Sequence, residues 1–271
     1  EGPQLASGTA RMTPELQWLA DRPITELLRY RAQSYAQFSY GSNASSADQA
    51  LALALPEGFN PRTLALAEQM RRDPRFSGAR DHQWVDAALE RLRTGGYVYT
   101  LEPGVYGAHT ADEFWFDKRE GFCEHIASSF VILMRALGVP ARIVTGYQGG
   151  EKNAVDGYWV VRQRDAHAWA EVWISGRGWV RIDPTASVAA WRVGELQRLQ
   201  APRGVIAATL AYTVSPELGA RLRALWDATN NAWNQWVLNY TQGTQLNLLK
   251  DIGFTSPSWE DLGLLLIAAV V

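Results

Sequence analysis

A long apolar helix followed by four strand-like runs constrains the fold of this chain more than any other feature. Apolar residues recur at i, i+4, i+7 and i+11 in one segment, a spacing that predicts a buried helix: Ile126, Phe130, Leu133 and Leu137. The helix is expected to end at Gly138, with Pro140 just beyond it. The runs ARIVTGY, GYWVVRQ, HAWAEVWI and GWVRIDPT come next, rich in β-branched and aromatic residues and separated by glycine-rich turns. They predict a mostly antiparallel sheet, and the whole pattern favours an α+β fold.

The composition is that of a soluble globular protein. Of the 271 residues, 47% are hydrophobic and 20% are charged, which excludes a disordered or low-complexity chain. The net charge is −2 and no block of five like charges occurs, so we expect no nucleic-acid partner. A single cysteine excludes an intrachain disulfide and any zinc site built from several cysteines.

That cysteine, Cys123, lies in the first turn of the predicted buried helix, directly after Gly121 and Phe122. A lone cysteine is often a small buried hydrophobe. At a helix start, however, unsatisfied N–H groups and the helix dipole favour the thiolate. We therefore interpret Cys123 as a catalytic nucleophile.

His167 and Asp183 are the predicted partners of this thiol. Alternation along HAWAEVWI puts His167 on one face of a strand, and Asp183 ends the next strand just before Pro184. The tight SGRG turn joins these two strands, so their open ends are expected to pair and to bring the carboxylate within hydrogen-bond reach of the imidazole. A cysteine on a helix that faces this sheet would complete a Cys-His-Asp triad.

The chemistry of the three groups is complementary. An imidazole takes the proton of a neighbouring thiol, and the resulting ion pair attacks a carbonyl, while the carboxylate fixes the tautomer of the imidazole. The backbone N–H of Cys123 is a natural half of an oxyanion hole. For the second donor we predict the indole of Trp115, with Tyr99 as the other upstream aromatic candidate. The same three residues could instead hold zinc, but catalysis explains the position of the thiol better, and we expect neither a metal nor a cofactor.

The chain resembles the transglutaminase-like superfamily, relatives of papain, at these residues. The segments EFWFDKREGFCEHIASSFVILMRALGVPARIVTGYQGG and RDAHAWAEVWISGRGWVRIDPTA are similar, more narrowly, to the TgpA-type proteins of bacterial inner membranes. The resemblance covers roughly residues 60 to 190. It implies a papain-like core, with a cysteine-bearing helix packed on a mostly antiparallel sheet and further helices at its flanks. It also implies an extracytoplasmic domain that follows a multi-helix membrane region and precedes one more membrane helix.

The activity implied by the resemblance is transglutaminase acyl transfer. Protein or peptide substrates would supply a glutamine carboxamide, and the acyl group would pass through a thioester to an amine or to water. Two alternatives stay open: a cysteine peptidase or amidase with the same triad, and a membrane-tethered peptide-binding module without turnover.

Four segments are predicted along the chain. Residues 1–56 form a membrane-proximal segment with a small β element, in which Leu51, Leu53 and Leu55 fall on one face of a strand. Residues 57–192 form the catalytic core, which begins with a helix over 61–72 after Asn60 as its N-cap, then a helix capped by Asp81 that stops at Gly95. Residues 193–261 are a helical extension expected to pack on the core. The apolar residues 262–271 predict the start of a transmembrane helix, which places the domain at the bacterial inner membrane, facing the periplasm.

Several residues near these motifs receive structural interpretations. His125 is expected at the surface or behind the site, and Glu124 and Arg119 are expected to be solvated charges at the mouth of the cleft. Four tryptophans fall in the strand region and are expected to pack in the core: Trp159, Trp169, Trp173 and Trp179.

Overall fold

The computed structural model describes residues 4–5, 10–13, 16–25, 28, 30–33, 35, 40–41, 45–189 and 216–238. The described residues fall into two compact units. The larger unit takes those of 37–152 and 158–210, and the smaller unit takes those of 1–36, 153–157 and 211–271. The candidate functional residues all belong to the larger unit.

The smaller unit contains four short strands, β1 (Gln4–Leu5), β2 (Ala10–Met12), β3 (Trp18–Ala20) and β4 (Tyr30–Arg31). They form two antiparallel pairs, β1 with β4 and β2 with β3. The larger unit begins with three helices, α1 (Ser46–Leu53), α2 (Pro61–Arg72) and α3 (Asp81–Thr94). Next come β5 (Val98–Tyr99), α4 (Thr110–Asp112), a π-helical turn (Glu113–Lys118), β6 (Glu120–Gly121) and α5 (Cys123–Ala136). The last part contains β7 (Ala141–Tyr147), β8 (Glu151–Lys152), β9 (Trp159–Val160), β10 (Ala166–Ile174), β11 (Gly178–Ile182) and α6 (Thr185–Val188).

Helix α1 corrects the strand expected around Leu51 and Leu53. Ser45 and Asp48 form a capping box: the Ser45 hydroxyl accepts from the Asp48 N–H at 3.2 Å, and the Asp48 carboxylate accepts from the Ser45 N–H at 3.2 Å. This local cap starts a helix and outweighs a period-two pattern of only three leucines. Leu51 is exposed, and Ala52 is buried.

Helices α2 and α3 occupy the predicted ranges. The starts of α2 and α4 cap each other: a side chain from each helix start accepts from backbone N–H groups of the other. Asn60 takes the N-cap position of α2 with a left-handed backbone, φ 53°, and makes no side-chain bond to its own helix. The buried Asp112 carboxylate caps α2 instead, accepting from the N–H groups of Arg62 and Thr63 at 2.9 and 2.7 Å. Asn60 Oδ1 in turn accepts from the Ala111 N–H, at 3.0 Å. The backbone donors at both helix starts are satisfied by this exchange.

Helix α5 is the centre of the core, as its spacing predicts. Six of the large core side chains that are fully buried come from α5 and from the turn before it: Phe114, Trp115, Ile126, Phe130, Leu133 and Met134. Burying one such side chain contributes about 1.5–3 kcal/mol. The helix ends with the turn at Gly138, whose φ of 86° suits glycine. This packing fixes the end of α5 that carries Cys123.

The sheet has three antiparallel strands in the order β11, β10, β7. Ala168, Ala170 and Val172 of β10 are buried on one face of this sheet. His167, Trp169 and Glu171 alternate with them and lie on the other. The fourth predicted strand is not part of the sheet: only Trp159–Val160 of GYWVVRQ is extended, and it pairs with β8. This run therefore forms a separate two-stranded hairpin with β8.

The helix predicted after residue 215 is α7 (Pro216–Leu238) in the smaller unit. Three of its apolar side chains, Leu222, Leu225 and Trp226, are more than half exposed. None of the helices in the described ranges combines the length and apolarity that a bilayer crossing demands. The predicted membrane segment at 262–271, and residues 193–215 and 239–261 of the predicted extension, lie outside the described residues.

Candidate active site

Cys123 is the first residue of α5, and its side chain is buried against Ala127 and Ala168. The N-cap position is held by Phe122, which has extended backbone and makes no side-chain cap bond. An apolar side chain supplies no acceptor to the first N–H groups of a helix. The thiol therefore lies where the helix dipole stabilises a negative charge.

His167 and Asp183 meet at the open end of the β10–β11 hairpin. Gly176 and Gly178 have φ of 76° and 77° in the tight turn at the other end. The pairing of Ala170 with Ile182 then places Asp183 beside the start of β10. His167 Nε2 lies 2.8 Å from Asp183 Oδ2, with both side chains less than a tenth exposed.

The Cys123 thiol lies close enough to His167 to influence the imidazole, which therefore interacts with both the thiol and the carboxylate. Because Nε2 faces Asp183, the nitrogen left for the thiol is Nδ1. Burial alone lowers the pKa of His167, but the hydrogen bonds and charges of Asp183 and Cys123 outweigh it and raise that pKa to about 9. The site thus favours an imidazolium at neutral pH.

Comparison with known proteins gives the site its context. Residues 67–184 match the transglutaminase-like superfamily. The crystal structure of the periplasmic domain of TgpA from Pseudomonas aeruginosa superposes with a TM-score of 0.66 and 37% identity, covering 73% of this chain and 68% of that domain. A second structure of the same domain, bound to ethylmercury, gives 0.63 and 36%, covering 71% and 68%.

This chain belongs to the transglutaminase-like superfamily. It is also 38% identical over 256 residues to a protein-glutamine gamma-glutamyltransferase of Pseudomonas aeruginosa. That alignment takes in 92% of this chain and 37% of the relative, so the chain spans little more than a third of the relative's length. The papain-like α+β fold expected from the sequence is confirmed at the level of the superfamily.

Trp115, which the sequence predicts as the second oxyanion donor, has its indole in the core. Its side chain is fully buried, and its indole N–H donates to the Ser129 carbonyl at 3.1 Å. The ring packs edge-on against Tyr97 and Phe114, with centroids 5.5 Å away in each case. The indole donor is already used inside the core, so in this member of the superfamily Trp115 supports α5 from behind.

Tyr99, the other upstream aromatic candidate, is half-buried in β5, next to the core.

His125 lies two residues after Cys123, in an aromatic pocket. Its ring centroid is 4.4 Å from that of Tyr106 and 4.5 Å from that of Phe122. Burial lowers the pKa of His125, the opposite direction to His167, so the ring favours its neutral form. The expected place behind the thiol agrees with this packing. Glu124 and Arg119 are exposed, as expected of charges at the protein surface.

The four tryptophans of the strand region differ from the expected core packing. Trp159 is 66% exposed, and Trp169, Trp173 and Trp179 are half-buried. Their alternate positions on β10 and β11 put the last three on the face of the sheet that also carries His167 and Asp183. Within the described ranges, no cluster of three or more His, Cys, Asp or Glu side chains has the arrangement of a metal site.

Proposed function

We propose that this chain is the catalytic domain of a cysteine-dependent acyltransferase that acts on carboxamides of proteins or peptides. Cys123 is the nucleophile, His167 the general acid and base, and Asp183 the group that orients the imidazole. The observation that carries the proposal is the buried His167–Asp183 hydrogen bond, at 2.8 Å, beside the Cys123 thiol at the start of α5. The similarity of this chain to a protein-glutamine gamma-glutamyltransferase supports a glutamine side chain as the acyl donor.

The first half of the reaction forms a thioester. The Cys123 thiolate adds to the carboxamide carbon, and the electron pair of the C=O bond moves to oxygen. When this tetrahedral oxyanion collapses, the C–N bond breaks and the His167 imidazolium gives its proton to the leaving ammonia. The backbone N–H of Cys123, at the uncapped start of α5, is positioned to donate to the oxyanion.

The second half transfers the acyl group. A primary amine or water gives a proton to the now neutral imidazole as it attacks the thioester carbon, and the C–S bond breaks to restore the thiolate. Asp183 stays ionised throughout and stabilises the imidazolium. The products are an isopeptide bond when the acceptor is an amine, and a glutamate side chain when it is water.

One incubation separates this proposal from its alternatives. The protein is mixed with a glutamine-containing peptide and a primary alkylamine, and mass spectrometry follows the products. Amine incorporation with loss of ammonia supports acyl transfer, and a gain of one mass unit by deamidation supports hydrolysis by the same site. Backbone cleavage would assign the chain to the peptidases, and a peptide that binds without change would assign it to the binding modules.

Cys123→Ala tests the nucleophile. The variant should lose all product formation and still fold, because one small side chain replaces another. Ser129→Ala is a matched control, since it also removes one buried heavy atom from α5. If Cys123→Ala kept wild-type turnover, the covalent route would be excluded.

We place the domain on the periplasmic side of a bacterial inner membrane. The likeness to the periplasmic domain of TgpA supports this location. Protease added to spheroplasts of bacteria expressing the full native protein should digest the domain, while a cytoplasmic marker enzyme stays intact. Protection of the domain until the membrane is lysed would put it on the other side.

A further inference from the structure

Four side chains contact one another in a closed cycle that includes the bond between His167 and Asp183. Arg181, two residues before Asp183, donates from a guanidinium nitrogen to Asp183 Oδ2 at 3.1 Å. Its guanidinium carbon also lies 4.9 Å from the centroid of the Trp169 ring. The Trp169 ring in turn stacks beside His167, with centroids 6.2 Å apart and planes 26° from parallel. The ring of contacts therefore runs from Arg181 to Asp183, His167, Trp169 and back.

The register of the sheet explains why Arg181 turns toward this site. On β10 the residue directly opposite Arg181 is Glu171, the ordinary partner for a cross-strand ion pair. Glu171 accepts two hydrogen bonds from Arg142 instead, at 2.9 and 2.7 Å. The Arg181 guanidinium is consequently directed along its own strand to Asp183.

Trp169 can pack beside His167 because residue 146 is a glycine and has no side chain. Gly146 pairs with His167 across β7 and β10, and a Cβ at Gly146 would lie 2.9 Å from Cη2 of Trp169. Since a real Cβ essentially never comes this close, the indole occupies the place that any other residue would fill at 146. Gly146 thus leaves the space in which the indole packs beside the imidazole.

We infer that Arg181 and Trp169 are positioning residues for the proposed acyl transfer, which act through His167 and Asp183 without touching the substrate. Arg181 donates to the same carboxylate oxygen that bonds the imidazole, so it fixes the rotamer of Asp183. The Trp169 ring, clamped between guanidinium and glycine, covers one side of the imidazole and limits its rotation. This inference rests on the proposed function.

The test uses the reactivity of the only cysteine in the chain. The rate at which iodoacetamide alkylates Cys123 is measured against pH in the folded protein at low ionic strength. Two steps are expected in the wild type, the first when the thiolate–imidazolium pair forms and the second when the imidazolium loses its proton. The positive charge of Arg181 stabilises the thiolate and destabilises the imidazolium, so its removal moves both steps to higher pH.

Arg181→Gln should therefore move both steps up by a few tenths of a pH unit, the size expected for a charge that is half exposed. Arg181→Lys keeps the charge and should restore both steps. The shift should shrink in 1 M salt, where the Debye length is about 3 Å. Arg177→Gln is the matched control, because it removes an exposed arginine at the opposite end of β11 and should leave both steps in place. The role of Arg181 would be overturned if both steps in the alkylation rate stayed at their wild-type pH in Arg181→Gln, or if Arg177→Gln shifted them equally.

Trp169 is tested by a double-mutant cycle with Gly146. Gly146→Ala and Trp169→Ala should each lower kcat for acyl transfer several-fold, and the double variant should lose no more than Trp169→Ala alone, because the clash partner is gone. The double variant also relieves the clash if Gly146→Ala folds poorly. Full activity in Trp169→Ala, or strictly additive losses, would overturn the role of Trp169. A wild type that alkylates in a single step at the pH of an ordinary thiol would overturn the thiolate–imidazolium pair itself, and with it the proposed function.

Discussion

His167 presents Nε2 to Asp183 Oδ2 at 2.8 Å, which leaves Nδ1 for the Cys123 thiol. The carboxylate therefore selects the ring nitrogen that carries the proton when the imidazole is neutral. Nδ1 is then free to accept the proton of the thiol. The geometry of this one bond decides whether His167 can act as a base toward Cys123.

Asp183→Asn should lower kcat strongly while the fold persists. An amide keeps the shape of the carboxylate but can no longer impose the tautomer or stabilise an imidazolium, and comparable triads lose roughly 10⁴-fold in rate. Single-turnover amine incorporation measures the loss, and circular dichroism checks the fold. A loss smaller than about tenfold would mean that Asp183 has a structural role only.

The protonation state of His167 gives a prediction in pH. Hydrogen bonds with Asp183 and Cys123 overcome the effect of burial and raise the pKa of His167 to about 9. Stability from this imidazolium is fully present below the ordinary histidine pKa, about 6.5, and is lost as the pH rises through about 9. The free energy of unfolding of the wild type should accordingly fall between pH 7 and pH 10. The turnover rate should fall over the same pH range.

NMR titration of the imidazole nitrogens checks this directly, since the chain has four histidines and each can be assigned by substitution. His167 should titrate near 9, and Asp183→Asn should move its pKa downward. His125 should move in the other direction, because burial lowers the pKa of that ring. A wild-type His167 that titrates like a solvent-exposed histidine would contradict the ion pair.

The sequence carried enough information for the elements that bear the site. Helix α5 is predicted by the spacing of Ile126 and Phe130, and the hairpin by its alternation and its SGRG turn. These signals work because they are local: one face of a helix, or two strands joined by a tight turn, needs no knowledge of the rest of the chain. The family resemblance supported the same assignment.

Contacts between residues far apart in the chain could not be predicted from the sequence. Whether an indole N–H faces a cleft or a helix carbonyl depends on packing between distant segments, and Trp115 donates to Ser129. The exchange of caps between Asn60 and Asp112 joins residues 52 apart, which no local pattern signals. Arg181 was missed because its natural cross-strand partner, Glu171, is occupied by Arg142 from a third strand.

Trp115→Phe distinguishes a core residue from an oxyanion donor. The smaller ring leaves a cavity and removes the buried hydrogen bond from the indole to the Ser129 carbonyl, so the free energy of unfolding should fall by about 2 to 3 kcal/mol. Turnover per folded molecule should stay near the wild-type value. Trp159→Phe is the matched control, because that ring is 66% exposed and its loss should hardly change stability. A large loss of kcat in a stably folded Trp115→Phe would restore the indole to the oxyanion hole.

Asp112→Ala tests the exchanged caps. The carboxylate is buried and accepts from the backbone N–H groups of Arg62 and Thr63 and from the Thr63 hydroxyl, at 2.9, 2.7 and 2.6 Å. Removing it leaves these donors without a partner at the start of α2, and urea unfolding should show a loss of about 2 to 3 kcal/mol. Asp112→Asn keeps one acceptor oxygen and should lose less.

Asp117→Ala is the control for Asp112→Ala, since it deletes a neighbouring aspartate that forms an exposed ion pair with Arg62, at 2.8 Å. Such a pair contributes about 0.2 to 1 kcal/mol, and salt should weaken it. The two aspartates lie five residues apart and carry the same charge, so a difference between them isolates burial and capping from electrostatics. Equal losses in the two variants would mean that the general charge of this segment, and not the cap on α2, stabilises the fold.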